Sequence, residues 1–376
     1  MGKTKATTRK GSVILAVSDL HFGIRGTPAL YGELRECLLP LLSDPKEEVR
    51  YLFFCGDVCD RKLSLNEEAS KFLIKFMDEV ATVCQGAGIV VRVIQGTVSH
   101  DLSQMDNFRM YEGRPGLDFR VLNTVTVETL PFGEVLYVPE EYMEDPNAYY
   151  SEFIEGRHYS MIFGHGTFSH VAHASQLQES ERQIRTAPVF DVKEWSKLAD
   201  LLVFGHVHSH SIHKNVVIPG SFTRWCFGEE KPKGFVKVVY GGPKDIKVSF
   251  VENAKAPKYS TLTLSDIGVG PKDSPEAVAR AISAASKGAE RTRVKLDDLE
   301  PATAEIVRGL FAKDQSVSVD VSARLRKEIE EEEKEEDEKY SFVTEGRLRP
   351  VEVVQKYIEE TVGKKISVEE IEEILS

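Results

Sequence analysis

No run of about 18 apolar residues, the length a membrane-spanning helix needs, occurs in the 376-residue chain. Its first ten residues, Met1 to Lys10, are polar and basic and lack the apolar core of a secretory signal. Cysteine is scarce: Cys37, Cys55, Cys59, Cys84 and Cys226 are an odd number without the paired spacing of a zinc site, and several lie inside apolar runs. They read as buried thiols in a reducing compartment, so a cytoplasmic protein with no membrane partner is expected. Excess positive charge is missing too. A net charge of -12 argues against simple charge-driven coating of nucleic acid or anionic membrane. A phosphate-bearing substrate is not excluded, because bound divalent cations would reverse the potential at a site.

What the chain does have is a repeated strand ending. Val13 to Val17 runs into Ser18-Asp19-Leu20-His21, and Tyr51 to Cys55 into Gly56-Asp57-Val58-Cys59-Asp60. Ile89 to Ile94 leads to Gly96-Thr97-Val98-Ser99-His100-Asp101, Ser160 to Phe163 to Gly164-His165-Gly166, and a further apolar run to Val203-Phe204-Gly205-His206-Val207-His208. Five apolar β-forming runs thus end in glycine, aspartate or histidine within a few residues. In an open α/β sheet such ends converge on one crevice, and converging carboxylates and imidazoles are metal ligands.

Between these runs, Glu67 to Cys84 places Phe72, Leu73, Phe76, Met77, Val80 and Val83 at helical spacing. From Leu122 to Val138 the pattern becomes short alternating strands, the antiparallel side of a two-sheet sandwich. Composition shifts at Gly241-Gly242-Pro243, after which a ββαβαβ succession suggests a small separate domain. Glu328 to Lys339 is almost wholly charged, a solvated helix or linker. Beyond it, Val351, Val354, Ile358 and Val362 share one helical face, with Pro350 suited to the first turn and Gly363 to the stop, and Ser367 caps a second short helix. Two such helices beyond a charged linker suggest a docking module.

Asp-x-His, Gly-Asp-x-x-Asp, a Gly-to-His-Asp segment, Gly-His and Gly-His-x-His, in that order, resemble the calcineurin-like metallophosphoesterases. Pro219-Gly220-Ser221-Phe222-Thr223-Arg224, Phe227 to Glu230 and Lys233-Gly234-Phe235 resemble the end of the nuclease domain in the SbcD family, the nuclease subunit of the SbcCD complex. Phe250 to Asn253 with Ala256 to Tyr259 looks like the lead into that family's DNA-capping domain. By motif the resemblance covers about residues 12 to 260; beyond, it is architectural. It implies an α/β (α+β) fold, a two-sheet sandwich flanked by helices, with a small α/β capping domain and a C-terminal helical hairpin. The implied divisions are an N-terminal tail 1–11, a nuclease domain 12–242, a capping domain 243–325, a linker 326–346 and an ATPase-binding module 347–376.

The same resemblance implies a two-metal site. Asp19, His21, Asp57 and His208 would hold one ion, and Asp57, His165 and His206 the other, with Asp57 bridging. His100 would protonate or stabilise the leaving oxygen, and Asp101 would orient it. The family's Gly-Asn-His-Asp is altered here. Ser99 stands in the Asn position by adjacency to His100, with Thr97 or water as the alternatives. The implied cofactors are two Mn2+, with Mg2+ as the alternative. The implied partners are DNA, an SMC-like ATPase of the SbcC type and a second copy of the chain. The expected activity is exonucleolytic on duplex ends and endonucleolytic on single strands or hairpins, in recombination or break repair. Asp60-Arg61 keeps a second reading open, a phosphatase or small phosphodiesterase of the same superfamily. The altered Asn keeps a third, a weakly catalytic DNA-end scaffold. His170 and His173 are candidates to approach the site, and Arg182, Arg185, Arg224, Lys231 and Lys233 to contact DNA phosphates.

Overall fold

Val13, Leu15 and Val17 point to one face of their strand and Ile14 and Ala16 to the other, yet all five are buried. A strand apolar on both faces needs cover on both. In the computed structural model, which describes residues 11–24, 26–141, 143–172, 188–321, 327 and 349–375, that cover is a second sheet on one side and helices on the other. The first sheet runs β14 (Asp245–Glu252), β13 (Gly234–Gly242), β1 (Ser12–Val17), β2 (Val49–Cys55), β3 (Val90–Ile94) and β4 (Phe119–Leu122). Strands β1 to β4 are mutually parallel, while β13 is antiparallel to both β1 and β14. The second runs β11 (Ser211–His213), β12 (Val216–Ile218), β10 (Ala199–Gly205), β7 (Tyr159–His165), β6 (Gly133–Val138) and β5 (Thr126–Leu130). Its centre is parallel and its edges, β5 against β6 and β11 against β12, are antiparallel. A small pair, β8 (Thr167–Phe168) and β9 (Val189–Phe190), follows β7.

The inner faces interdigitate. Ile14, Phe53 and Cys55 meet Tyr137, Phe163 and Val203, and the Phe53 and Phe163 rings lie edge to face with centroids 4.4 Å apart. Outside the first sheet, Leu15, Leu52 and Phe54 pack on the helix Glu68–Ala87 through Phe76, Met77 and Val80. Outside the second, Leu202 and Phe204 pack on Tyr150, Phe190 and Trp195. The fold is therefore an α/β sandwich of two large mixed sheets flanked by helices.

The break expected at 242/243 lies inside the β13–β14 hairpin, and the first compact unit extends to Tyr259. Glycine and proline there mark a turn, because β14 completes the edge of the first sheet. The second unit begins at Ser260. Its three-stranded sheet is made of β15 (Tyr259–Thr263), whose first residue is the last of the first unit, β16 (Arg291–Lys295) and β17 (Val317–Asp320), with helices Pro275–Ala285 and Pro301–Phe311 closing a core of Leu264, Val278, Ile282, Val294 and Val307. Helices Pro350–Val362 and Val368–Leu375 form a hairpin in which Gln355 Nε2 donates to the Ile366 carbonyl at 2.7 Å. The charged stretch 328–339 and the tail 1–10 lie outside the described residues. Among those described, no helix is long and apolar enough to cross a membrane.

Candidate metal centre

The parallel registers bring strand ends to one rim. Gly205 of β10 sits beside His165 of β7, and Cys55 of β2 beside Ile94 of β3. The two sheets are then tied at this rim: His165 Nδ1 donates to the Cys55 carbonyl at 2.7 Å. The loops after β1 and β2 run together, with Asp19 N–H donating to the Gly56 carbonyl and His21 N–H to the Asp57 carbonyl. Asp19, His21, Asp57 and His206 all have positive φ, 54°, 50°, 50° and 100°. Backbone strain of about 1–3 kcal/mol per residue persists only where the surroundings enforce it. Gly56 and Gly96 permit the crossing: a Cβ on either would come within 2.2 Å of His165 Nδ1 or Asp57 N.

Three sets of residues have ligand atoms within 4.8 Å of one another: Asp19, His21 and His208; His21, Asp57 and His100; and Asp57, His165 and His206. Five of the seven are buried, Asp19 and His165 at 0% exposure, and His100 and His208 are half-buried. His21 Nδ1, His165 Nε2 and both ring nitrogens of His206 are buried without a hydrogen-bond partner among the described residues. Unpartnered buried nitrogens are costly. A cation would satisfy His165 Nε2 and one nitrogen of His206, while His21 Nδ1 lies 3.4 Å from Asp60 Oδ1 and leaves Nε2 to the cluster, so the donor set fits divalent metal. His21 Nε2 and His208 Nε2 approach to 3.0 Å. Asp57 Oδ2 lies 3.3 Å from His165 Nε2, 3.0 Å from His100 Nδ1 and 3.9 Å from His21 Nε2, at the junction of the sets.

The electrostatics follow from burial and close charge. Burial pushes the Asp57 carboxyl up, but the imidazoles of His165, His100 and His21 outweigh it and hold it well below the ordinary range. Burial pushes His165 and His100 down, and Asp57 reverses this in both. Behind His208, buried Glu229 accepts from its Nδ1, fixing the tautomer that presents Nε2 to the cluster. Burial raises the Glu229 carboxyl, yet His208 and Lys233 bring it down to about 2.

Sequence reading also places Ser99 and Asp101 here, and the structure assigns both differently. The carbonyl of Thr97 accepts from the N–H groups of His100 and Asp101, starting the short helix Val98–Asp101. Ser99 is on its exposed side and makes no side-chain hydrogen bond among the described residues. Thr97 is the hydroxyl at the cluster: its N–H reaches Asp57 Oδ1 at 2.6 Å and its Oγ1 reaches Asp57 Oδ2 at 3.2 Å. Asp101 accepts from the N–H groups of Cys59 and Gly96 rather than holding His100. It therefore joins the loops after β2 and β3. Burial first, and Asp57 second, raise its carboxyl to about 7.

Two further carboxylates escape sequence reading as site residues. Glu140 Oε2 lies 3.2 Å from His206 Nδ1 and 3.7 Å from His165 Nε2. Glu229 is visible in the sequence only as part of a family-like segment, without its role. Of the candidate DNA-contacting cations, Lys233 is buried on the His208 carbonyl and Ser221 Oγ, and the Arg224 guanidinium is spent on carbonyls including those of Glu229, Lys231 and Pro257. His170 stacks on His213 with centroids 4.4 Å apart. His173, Arg182 and Arg185 lie outside the described residues.

No known family's sequence profile matches the chain, and no curated protein matches it. Solved structures resemble it distantly. Protein TT1561 of Thermus thermophilus is 12% identical, with a TM-score of 0.35 over 64% of this chain and 100% of that one. Thermotoga maritima protein TM1076 is 11% identical, with a TM-score of 0.26 over 64% and 99%. Neither is named for a function, and likeness this distant carries no functional argument. The histidine and aspartate groups are compatible with a metal-dependent hydrolase of the metallophosphoesterase kind.

Proposed function

We propose that the chain is a two-metal phosphoesterase, and within that class a Mn2+-dependent DNA nuclease of the SbcD type working beside an SMC-like ATPase. The observation that carries the first step is that Asp19, His21 and His208 form one ligand group and Asp57, His165 and His206 another, with Asp57 Oδ2 3.9 Å from His21 Nε2 of the first. Cations held there would screen the phosphate and lower the pKa of the attacking water. The protein's own part is to keep the imidazoles oriented, through Glu229 and the Cys55 carbonyl, and to offer a proton. His100, half-buried beside Asp57, is the group we assign to protonate the leaving oxygen.

The second step rests on the strand-end motifs together with Gly220-Ser221-Phe222-Thr223-Arg224 and Lys233-Gly234-Phe235. The ATPase-docking role of the C-terminal hairpin is supported by apolar groups left at the surface, Tyr357, Val362 and Ile374. Asp60-Arg61 supports a second reading, a phosphatase or small phosphodiesterase of the same superfamily, although the Arg61 guanidinium here forms a two-pronged pair with Glu67.

The test is release of label from end-labelled linear duplex DNA with Mn2+, beside hydrolysis of an aryl phosphomonoester, for the native chain and Asp57→Asn. Metal-dependent DNA cleavage that vanishes in the variant supports the nuclease. Monoester hydrolysis with intact DNA would replace it with the phosphatase. No hydrolysis of either, with the ATPase partner present, would leave a scaffold.

A further inference from the structure

Glu140 has no part in the set of ligands implied by resemblance, yet it is 7% exposed and lies against the second ligand group. Its position follows from the sheet. Val138 at the end of β6 pairs with Gly164 of β7, and Gly205 of β10 pairs with His165, so residues just past β6 sit at the height of the metal-facing imidazoles. The Glu140 N–H donates to the Gln95 carbonyl at 3.2 Å, which anchors this segment to the end of β3 in the opposite sheet. From there Oε2 reaches within 3.2 Å of His206 Nδ1, 3.7 Å of His165 Nε2 and 3.5 Å of Thr97 Oγ1.

A carboxylate taken out of water needs a compensating positive charge, since the penalty is several kcal/mol per ion. Among the described residues no lysine or arginine pairs with Glu140. Its charged-group neighbours are His165 and His206, which also carry buried nitrogens without hydrogen-bond partners. A carboxylate and two imidazoles with unpartnered buried nitrogens, with a hydroxyl alongside, are the makings of a cation site, and oxygen donors of this kind suit Mn2+ or Mg2+.

We infer that Glu140 is a carboxylate ligand of the second cation, with Thr97 steering it and Asp57 together, in place of a neutral amide. The inference rests on the metal-dependent reading and deepens it. It assigns the second site one more negative charge than an amide would give, and therefore a firmer hold on a divalent ion. Ser99, exposed on the far side of its helical turn, takes no part.

Equilibrium dialysis of the full chain against Mn2+ tests this without reference to activity. The native chain should bind two ions. Glu140→Gln, which keeps the size, and Glu140→Ala should each weaken one of them by at least about 10- to 100-fold and leave the other unchanged. Ser99→Asn should change neither, and circular dichroism melts with EDTA should show both Glu140 variants folded. Two ions bound with unchanged affinity in the folded Glu140 variants would overturn the inference and leave the metal-dependent reading intact. No Mn2+ bound by the native chain would overturn both.

Discussion

The two sides of the cluster meet at one aspartate but are held from behind by different chemistry. On the first side, His208 is fixed by buried Glu229, which Lys233 Nζ approaches to 3.6 Å. On the second, His165 is fixed by a neutral group, the Cys55 carbonyl, and the carboxylate stands in front, as Glu140. A carboxylate behind an imidazole makes it a stronger donor. One in front of it supplies charge directly to an ion. The chain thus has two ways to make a site anionic, and only the first places a titratable group outside the ligand set.

The largest break in this comparison comes from the shared residue. Asp57→Asn should remove one of two bound Mn2+, weaken the other and reduce metal-dependent hydrolysis to background, as read by dialysis and by DNA cleavage. A smaller, one-sided effect is expected from Glu229→Gln: about 10- to 100-fold weaker binding at the first side with the second unchanged.

The two sides should also differ in acid. Glu229 has its folded value depressed to about 2. Its stabilising contribution is therefore complete above the unfolded value, near 4.3, and is lost as pH falls towards about 2. By linkage it is worth at most on the order of 3 kcal/mol. Melting temperatures with EDTA, followed from pH 5.5 to 3, should fall more steeply for the native chain than for Glu229→Gln. Parallel curves would contradict a charged anchor behind His208. The smallest effect is expected of Ser99→Asn, which should leave Mn2+ affinity and melting unchanged.

Much of this is legible in the sequence, and the reason is geometric. Asp19, His21, Asp57, His165, His206 and His208 each follow an apolar strand within a few residues, and parallel strands bring such positions to one rim. Glu140 also follows a strand, but across Pro139 and beside a second glutamate, Glu141, and nothing in that pattern says which of them turns inward. Glu229 lies in the long connection before β13, where only the folded chain reveals its partner.

In the Gly96-to-His100 segment, counting back from His100 selects Ser99, with Thr97 as the other hydroxyl. The helical turn that begins at Thr97 sends Ser99 to solvent, and the hydroxyl beside Asp57 is that of Thr97, the first residue after Gly96. Adjacency likewise suggests that Asp101 serves His100, whereas its carboxylate satisfies two loop N–H groups. The break at Gly241-Gly242-Pro243 is a true change of direction, but of a hairpin rather than of a domain boundary.

The central claim is that one carboxylate, Asp57, is common to two cation sites, and electron paramagnetic resonance of the Mn2+-loaded chain tests it most directly. Two ions bridged by Asp57 should give an exchange-coupled spectrum in the native protein and an isolated-ion spectrum in Asp57→Asn. Isolated-ion spectra from a native chain carrying two Mn2+ would contradict the shared site.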